Sequence, residues 1–419
     1  MTVPAGCYYD PARREVFHVV ATDGRHVVVD RSPATVEAGG PGRYPPRLLG
    51  QPFRGDPTGT TDQTVALQPW IDRLDGPGII PPGRYRCDRT VHLTRPTRLT
   101  FAPGAVLISH GKQRPHDGVL WARHTQVHID GLTIDGQNHD HLGVKLTGCT
   151  GRIAGFDLRN VGRSAIGAWD CDRLDLIGGT VHAAQTVDGD GTDAGCVQVD
   201  NCTRVLLAGI DLTGSTGKGI AVRRTHVGTV EHCHVSGGSN GFYSNHSSNI
   251  VWRSLSVRDA VGDSMKLSRM STDHQVERSV TLHHTTGAGL AFRGQGVSRS
   301  WLAPTIIVSG GFDHNAAADV QGHVVYDAPC DRNVVSFDVT NLRPIAGRPQ
   351  RAFDVRETAT NTTVEHARIA GFRYGIADQG TNTVIRHCDF DVTVQDVIDG
   401  AVPPSGRQVY QNRSALTER

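Results

Sequence analysis

The sequence predicts an all-β chain of short strands wound into stacked coils, and three observations carry that prediction. The first is a repeat. Glycine-led apolar segments recur at about 20 to 30 residues. They read GVKLTGCTGRIAGFDL from Gly143, AIGAWDCDRLDLIGGTV from Ala165, CVQVDNCTRVLLAGIDL from Cys196, GIAVRRTHVGTVEHCHV from Gly219, GFYSNHSSNIVWRSLSV from Gly241 and MKLSRMSTDHQVERSVTL from Met265. Weaker copies start at Leu290, Val324, Phe353 and Ile376. The second is alternation at period two, which buries one side of each strand. It points Val197, Val199, Ile220, Val222, Phe242, Met265, Leu267, Leu290 and Phe292 inward. The third is a small-residue ladder, Cys149, Cys171, Cys202, Thr225 and Ser247, each three residues after the second inward position. Such short strands suit coils that cover one another's open edges. The prediction is a right-handed parallel β-helix of about ten or eleven coils, with an N-terminal capping helix and a small N-terminal β appendage.

The elements follow in order. EVFHVVATDGRHVVVD from Glu15 reads as a hairpin with Asp-Gly at its turn. AGGPGRYPPRLLGQP is a Pro/Gly-rich linker, so residues 1–52 form the appendage. In GDPTGTTDQTVALQPWIDRL from Gly55, Asp62 caps a short helix bearing Val65, Leu67, Trp70, Ile71 and Leu74. That helix plugs the open end of the coils, which run over residues 53–395. Residues 396–419 are a loose or docking tail.

The run from Gly55, the following GIIPPGRYRCDRTVHL and the phrase DGLTIDGQ from Asp130 resemble the start of the pectate-lyase superfamily β-helix. That family, with its tailspike-like and polygalacturonase-like members, opens on GDG-x-TDD-T-A-x-Q-x-A-I and then PxGxY. The resemblance covers about residues 53 to 393. It implies the pectin-lyase-like fold, which hosts many chemistries.

Composition narrows the classes. Forty-nine glycines without a three-residue period exclude collagen. A net charge of +1 gives no field for nucleic acid or an anionic membrane. Only Lys112, Lys145, Lys218 and Lys266 are lysines among 43 basic residues. No segment approaches the roughly 18 apolar residues of a membrane helix. The start, MTVPAGCYYDPARREV, lacks a signal-peptide pattern, so a cytoplasmic location is expected. Nine cysteines without CxxC pairs read as reduced, structural thiols.

Side chains fill the inside of such coils, so a site belongs on an outer face. The outward row reads Lys145, Trp169, Gln198 with Asp200, Ala221 with Arg223, Tyr243 with Asn245, Lys266, then Arg293, Val325 with Asp327, and Asp354 with Arg356. Flanking loops add Lys218, His246 and Asp263, and TVDGDGTDAG adds Asp188, Asp190 and Asp193. Those three carboxylates are the weak calcium candidate; otherwise no metal or cofactor is expected. An insert around His314 is placed as a flap.

Similarity to the polygalacturonase-like glycosidases implies further matches. Thr192-Asp193 fits their TD-G strand and Lys266 in MKLSR fits their RIK strand. Their paired-Asp coil here reads Gly217-Lys218, and their GHG coil reads Ser239-Asn240-Gly241. Hydrolysis needs two positioned carboxyl groups, so elimination, epimerisation or intramolecular transfer on an anionic carbohydrate-like substrate is expected instead. The catalytic candidates are Lys266, Arg223, Asp200, Tyr243 and Asp263. The substrate-binding candidates are Lys218, Arg293, Gln198, Asn245, His246, Trp169 and Lys145. Tyr243 or His246 passes protons, and the cations steady enolate-like charge.

Two other classes stay open. One is an intracellular cyclase or isomerase of a specialised metabolite. The other is a non-catalytic glycan-binding or scaffold β-helix. The partner is a small-molecule or oligosaccharide substrate, and both monomer and homotrimer fit. His139-Asp140-His141 reads as a surface turn, since no third metal ligand is evident. GSTGKG from Gly214 lacks phosphate-loop spacing and reads as a tight turn.

Overall fold

The computed structural model describes residues 51–111, 117–139, 141–184, 195–284, 288–293, 296–308, 330–342, 351–399 and 406–414. It also describes the backbone of strands within 6–44 and of Ala316–Val320; the side chains of His284, Arg293 and Asp399 lie outside the description. Two units are distinguished, 1–166 with 174–180, and 167–173 with 181–419.

In the first unit, Glu15–Thr22 and Val27–Arg31 pair antiparallel, as the hairpin pattern predicts. Gly6–Asp10 and Gly42–Tyr44 widen the pair into a four-stranded sheet. The helix spans Thr64–Asp72. Asp62 Oδ1 accepts the Thr64 N–H at 2.9 Å, satisfying a donor that the first turn leaves open. Leu67, Ile71 and Leu74 are buried, and Trp70 is half-buried with its ring 5.3 Å from Phe53. Val65 is the exception: it is exposed, because it lies on the opposite side of the helix from Leu67 and Ile71. Beyond the helix, Val91–Leu93, Gly118–Arg123 and Leu142–Thr147 stack in parallel.

The second unit continues the pattern on its own. Gly195–Asp200, Lys218–Arg223, Asn240–Asn245, Met265–Ser268, Leu290–Arg293, Ala316–Val320 and Arg351–Val355 pair in parallel register. The strands Arg368–Asp378 and Asp389–Asp399 complete the series. All nine residues predicted to point inward are fully buried. The repeat leads with glycine because the coil wall leaves no room for a Cβ. At Gly241 one would sit 2.5 Å from Val257 and 2.6 Å from the Ser264 carbonyl.

The solenoid has about 13 turns, more than the ten or eleven expected. The glycine-led repeat begins only at Gly143, so the strands Val91–Leu93 and Gly118–Arg123 escaped it. The end of Asp389–Asp399 escaped it too, because two sides of that coil run together as one long strand. One weak copy was also misplaced. The strand after Leu290–Arg293 is Ala316–Val320, so Asp319 takes the register position given to Val325. Val325 and Asp327 lie outside the described residues.

The small-residue ladder is a hydrogen-bonded corner. Cys149, Cys171 and Cys202 direct their thiols to the carbonyls of Thr147, Trp169 and Asp200 at 3.4, 3.4 and 3.5 Å. Thr225 and Ser247 do the same to Arg223 and Asn245 at 2.9 and 3.2 Å. The residue before each is left-handed, as at Asn201 (φ 55°), Arg224 (φ 45°) and His246 (φ 54°). Asn adopts this conformation readily, while Arg and His hold it at a cost that the ladder's bonds offset. The eight cysteines whose side chains the structure describes are all buried. Burial pushes the thiols of Cys87, Cys196 and Cys233 up to about 12, which makes them unreactive.

Candidate functional site

The site grows from two register columns on the outside of the second unit. One aligns Gln198, Ala221, Tyr243, Lys266 and Ala291; the other aligns Asp200, Arg223, Asn245, Ser268 and Arg293. Adjacent coils stand about 4.8 Å apart, so neighbours in a column touch.

Asp200 is buried and lies between two arginines. Arg224 Nη2 is 2.6 Å from its Oδ2, and Arg223 Nε is 3.7 Å away. The other oxygen, Oδ1, is buried and accepts no hydrogen bond from the described residues. Sequence alternation named Arg223 but missed Arg224, the closer partner. A strict period of two sends residue 224 inward, whereas its left-handed backbone turns the side chain out of the corner. The signal was available, because Arg224 stands just before the ladder residue Thr225.

Tyr243 is the centre of the second column. Its ring carries the Lys218 ammonium at 4.7 Å and the Lys266 ammonium at 5.9 Å from its centroid. Asn245 Nδ2 donates to the phenol oxygen at 2.6 Å, a bond that steadies negative charge on that oxygen. The Asn245 amide oxygen in turn accepts from His246 Nδ1. An amide oxygen can only accept, so Nδ1 carries the proton and His246 Nε2 is left as the proton acceptor. Partial burial, with Arg269, Arg224 and Arg223 nearby, holds the His246 pKa below the ordinary histidine value. The ring is therefore neutral at neutral pH.

Several predicted residues are outward but not open to solvent. Gln198, Asp200, Tyr243, Asn245 and Asp263 are all buried, while Lys218, Arg223 and Lys266 are half-buried and His246 is exposed. The period-two pattern assigns a side of the wall and says nothing about what closes over it. Gln198 turns back to accept the Gly195 N–H at 3.4 Å. Asp263 accepts the Ala288 N–H at 3.1 Å, which places it as a loop support. Trp169 is half-buried at the end of Ile166–Trp169. Lys145 belongs to the first unit, with its ammonium 4.0 Å from the centroid of the Trp121 ring. The Arg293 side chain, Asp188, Asp190, Asp193 and His314 lie outside the described residues.

No group of three metal-ligating side chains occurs among the described residues. His141, read as part of a surface turn, is instead buried: Nε2 meets Ser109 Oγ and Nδ1 meets the Leu142 carbonyl. Two further charge clusters lie toward the C-terminus. Asp354 is buried between Arg351 and Arg356, each at 3.0 Å, and burial raises its pKa against their pull. Asp338, Arg368, Asp389 and Arg413 alternate in sign down one register column beside an open groove of about 610 Å³. Such alternation is the ordinary way stacked strands relieve charge.

Residues 117–298 match the family described as right handed beta helix region. The solved surface adhesin PfbA of Streptococcus pneumoniae superposes with a TM-score of 0.57 at 11% identity, covering 87% of this chain and 91% of that one. The chain is a right-handed parallel β-helix. Tailspike protein 3 of bacteriophage CBA120 aligns with a TM-score of 0.51 at 11% identity, over 86% of this chain and 60% of its own. ORF18 of Geobacillus virus E2 aligns with a TM-score of 0.49 at 16% identity, over 75% of this chain and 59% of its own. This chain thus spans less than two thirds of the length of the two viral proteins. At these identities the likeness extends to the fold alone. No curated protein sequence matches this β-helix.

Proposed function

We propose that the Tyr243 face binds an anionic carbohydrate and catalyses elimination or epimerisation next to its carboxylate. The observation that carries this reading is the buried Tyr243 phenol, hydrogen-bonded by Asn245 and overlaid by the ammoniums of Lys218 and Lys266. Removing a proton alpha to a carboxylate leaves enolate charge, which those ammoniums and Arg223 would neutralise. His246 Nε2 would take the proton. Tyr243 would protonate the departing oxygen in elimination, or the opposite face of the carbon in epimerisation. The pectate-lyase-like opening supports the carbohydrate class.

Polyuronate oligosaccharides test it. Elimination produces the ultraviolet absorbance of an unsaturated uronate, and epimerisation introduces solvent deuterium at the acidic carbon. Either signal should vanish in Tyr243→Phe. If uronates give neither signal and do not bind, the reading is wrong. One observation favours a second reading, non-catalytic glycan binding: Asp200 is paired with two arginines, which neutralise it as a base. Tight binding with neither chemical signal would decide for it.

A further inference from the structure

Opposite charges one coil apart can close into pairs in the second unit. Glu231 and Arg253 are register partners and meet at 2.5 Å, and Glu365 and Arg386 meet at 2.6 Å. The column Asp338, Arg368, Asp389 and Arg413 behaves differently. It too is consecutive in register, on the wall that His234–Gly237 begins, which is not the wall of the Tyr243 strands. Alternating sign softens repulsion down the column. Yet Arg368, Asp389 and Arg413 are exposed and form no ion pair or side-chain hydrogen bond with a described residue. Asp338 is engaged, with Arg278 Nη1 3.5 Å from its Oδ2.

The order of the signs is self-complementary. From Asp338 to Arg413 it reads minus, plus, minus, plus, and reversed it reads plus, minus, plus, minus. Two copies laid face to face with their coil stacks antiparallel therefore set opposite charges at every level. Arg368 faces the partner's Asp389, and Asp338 faces the partner's Arg413. Two copies running the same way in register would set like against like, which costs energy and excludes that arrangement. A two-fold axis along the strands, between the coils of Arg368 and Asp389, generates the antiparallel pair, and such a contact closes at two copies. The groove of about 610 Å³ beside the column gives the partner's guanidiniums room to enter. Leu342 and Val394, 60% and 47% exposed, lie just along the chain from Thr340 and Asp391 of this face. The same axis keeps both copies of them at one edge of the contact, where they supply apolar area. Because Arg278 already holds Asp338, the two central pairs set the register. The contact spans four coils, so the association is reversible and sensitive to salt.

We infer that this face is an interface between two copies of the chain, joined antiparallel through Arg368 and Asp389.

Sedimentation equilibrium of the full chain tests it. The parent should show a monomer–dimer equilibrium at about 50 mM salt that weakens on the order of tenfold at about 500 mM, where the Debye length falls below the span of the column. Arg368→Glu should be monomeric under the same conditions, and so should Asp389→Arg, because either homodimer would hold two like-charge contacts. An equimolar mixture of the two variants should recover the dimer, since the two substitutions then lie opposite each other and every level again pairs plus with minus. That recovery also shows that both variants fold. A parent that stays monomeric at low salt, a trimer, a dimer that survives either single substitution, or a mixture that stays monomeric would each overturn the inference.

Discussion

One strand, Asn240–Asn245, feeds two polar clusters of opposite character. Tyr243 leaves the coil and meets two ammonium groups. Ser244, the next residue, enters the coil and meets only neutral ones. The inner cluster is a chain of hydrogen bonds with one direction. Trp252 Nε1 donates to His274 Nδ1 at 3.3 Å, so His274 holds its proton on Nε2. Nε2 donates to Ser244 Oγ at 3.2 Å, Ser244 to Ser271 Oγ at 3.3 Å, and Ser271 to the Ser268 carbonyl at 2.7 Å. Each donor in this chain has its acceptor, and the chain ends on a carbonyl. The outer cluster holds Lys218 and Lys266 over the Tyr243 ring, and Arg223 and Arg224 at Asp200. Both clusters contain buried side chains, Tyr243 in one and Ser244 in the other, so burial by itself marks neither as a site. Charge is what separates them: the inner chain is neutral and closed, and the outer group is built largely of charged side chains.

The widest separation should come from Tyr243→Phe. It removes only the hydroxyl, so the fold should persist. On the true substrate, turnover should fall by about 10² to 10³-fold, the range of a proton-transfer group. Steady-state kinetics beside a thermal melt would read both effects. Turnover kept within a few fold would place the chemistry elsewhere.

The inner cluster should answer to pH instead. Burial presses the His274 pKa down from 6.5 to about 4, with the adjacent Asp273 pulling weakly upward. A second ring proton would break the Trp252 bond and put charge inside the coil. The unfolded chain takes up its proton near the ordinary value and the folded chain only near about 4. This contribution to stability is therefore whole above the ordinary value, declines as pH falls from it to about 4, and is level below. Its full size is about 3 kcal/mol. Urea melts across that window should show the slope in the parent and a flatter one in His274→Gln, with neutral-pH turnover unchanged in both.

Much of this was legible in the sequence, for reasons that particular residues make plain. Val197, Ile220 and Phe242 were read correctly because alternation between two environments leaves a period in the chain. The Cys202, Thr225 and Ser247 corner was read because a small residue recurs at one place in successive coils. His274 was not, since in STDHQVER it looks like any polar turn residue, and only the stacked coils bring Trp252 and Ser244 to it. Arg224 escaped because a single left-handed residue resets the alternation. Trp121 escaped because its coil precedes the glycine-led repeat. Pattern thus reports which wall a side chain leaves, while partners come from coils 20 to 30 residues away.

A smaller effect belongs to Asp200→Asn. It removes the charge that Arg223 and Arg224 share, but both guanidiniums keep contact with water, so the loss should be about 2 kcal/mol rather than the larger penalty of a sealed pair. The two freed arginines add positive charge to the outer group. Uronate affinity should therefore hold or rise while stability falls. A loss of affinity equal to the loss of stability would make Asp200 a ligand-positioning group rather than a counter-charge.

The smallest effect is expected at Ser244→Ala, and it bears most directly on the contrast between the two clusters. Ser244 accepts from His274 and passes the chain on to Ser271. Alanine fits the same space and leaves the Nε2 hydrogen without an acceptor inside an otherwise satisfied network. One unmet buried donor costs about 1 kcal/mol or slightly more. The backbone register that presents Tyr243 is set by the ladder bonds to the neighbouring coils, and Ser244 takes no part in the outer group. Turnover and uronate affinity should therefore match the parent, although the substitution sits one residue from Tyr243. A tenfold fall in turnover with a melt only slightly lowered would mean that the coil wall transmits packing from inside to outside, and the two clusters would then be one site.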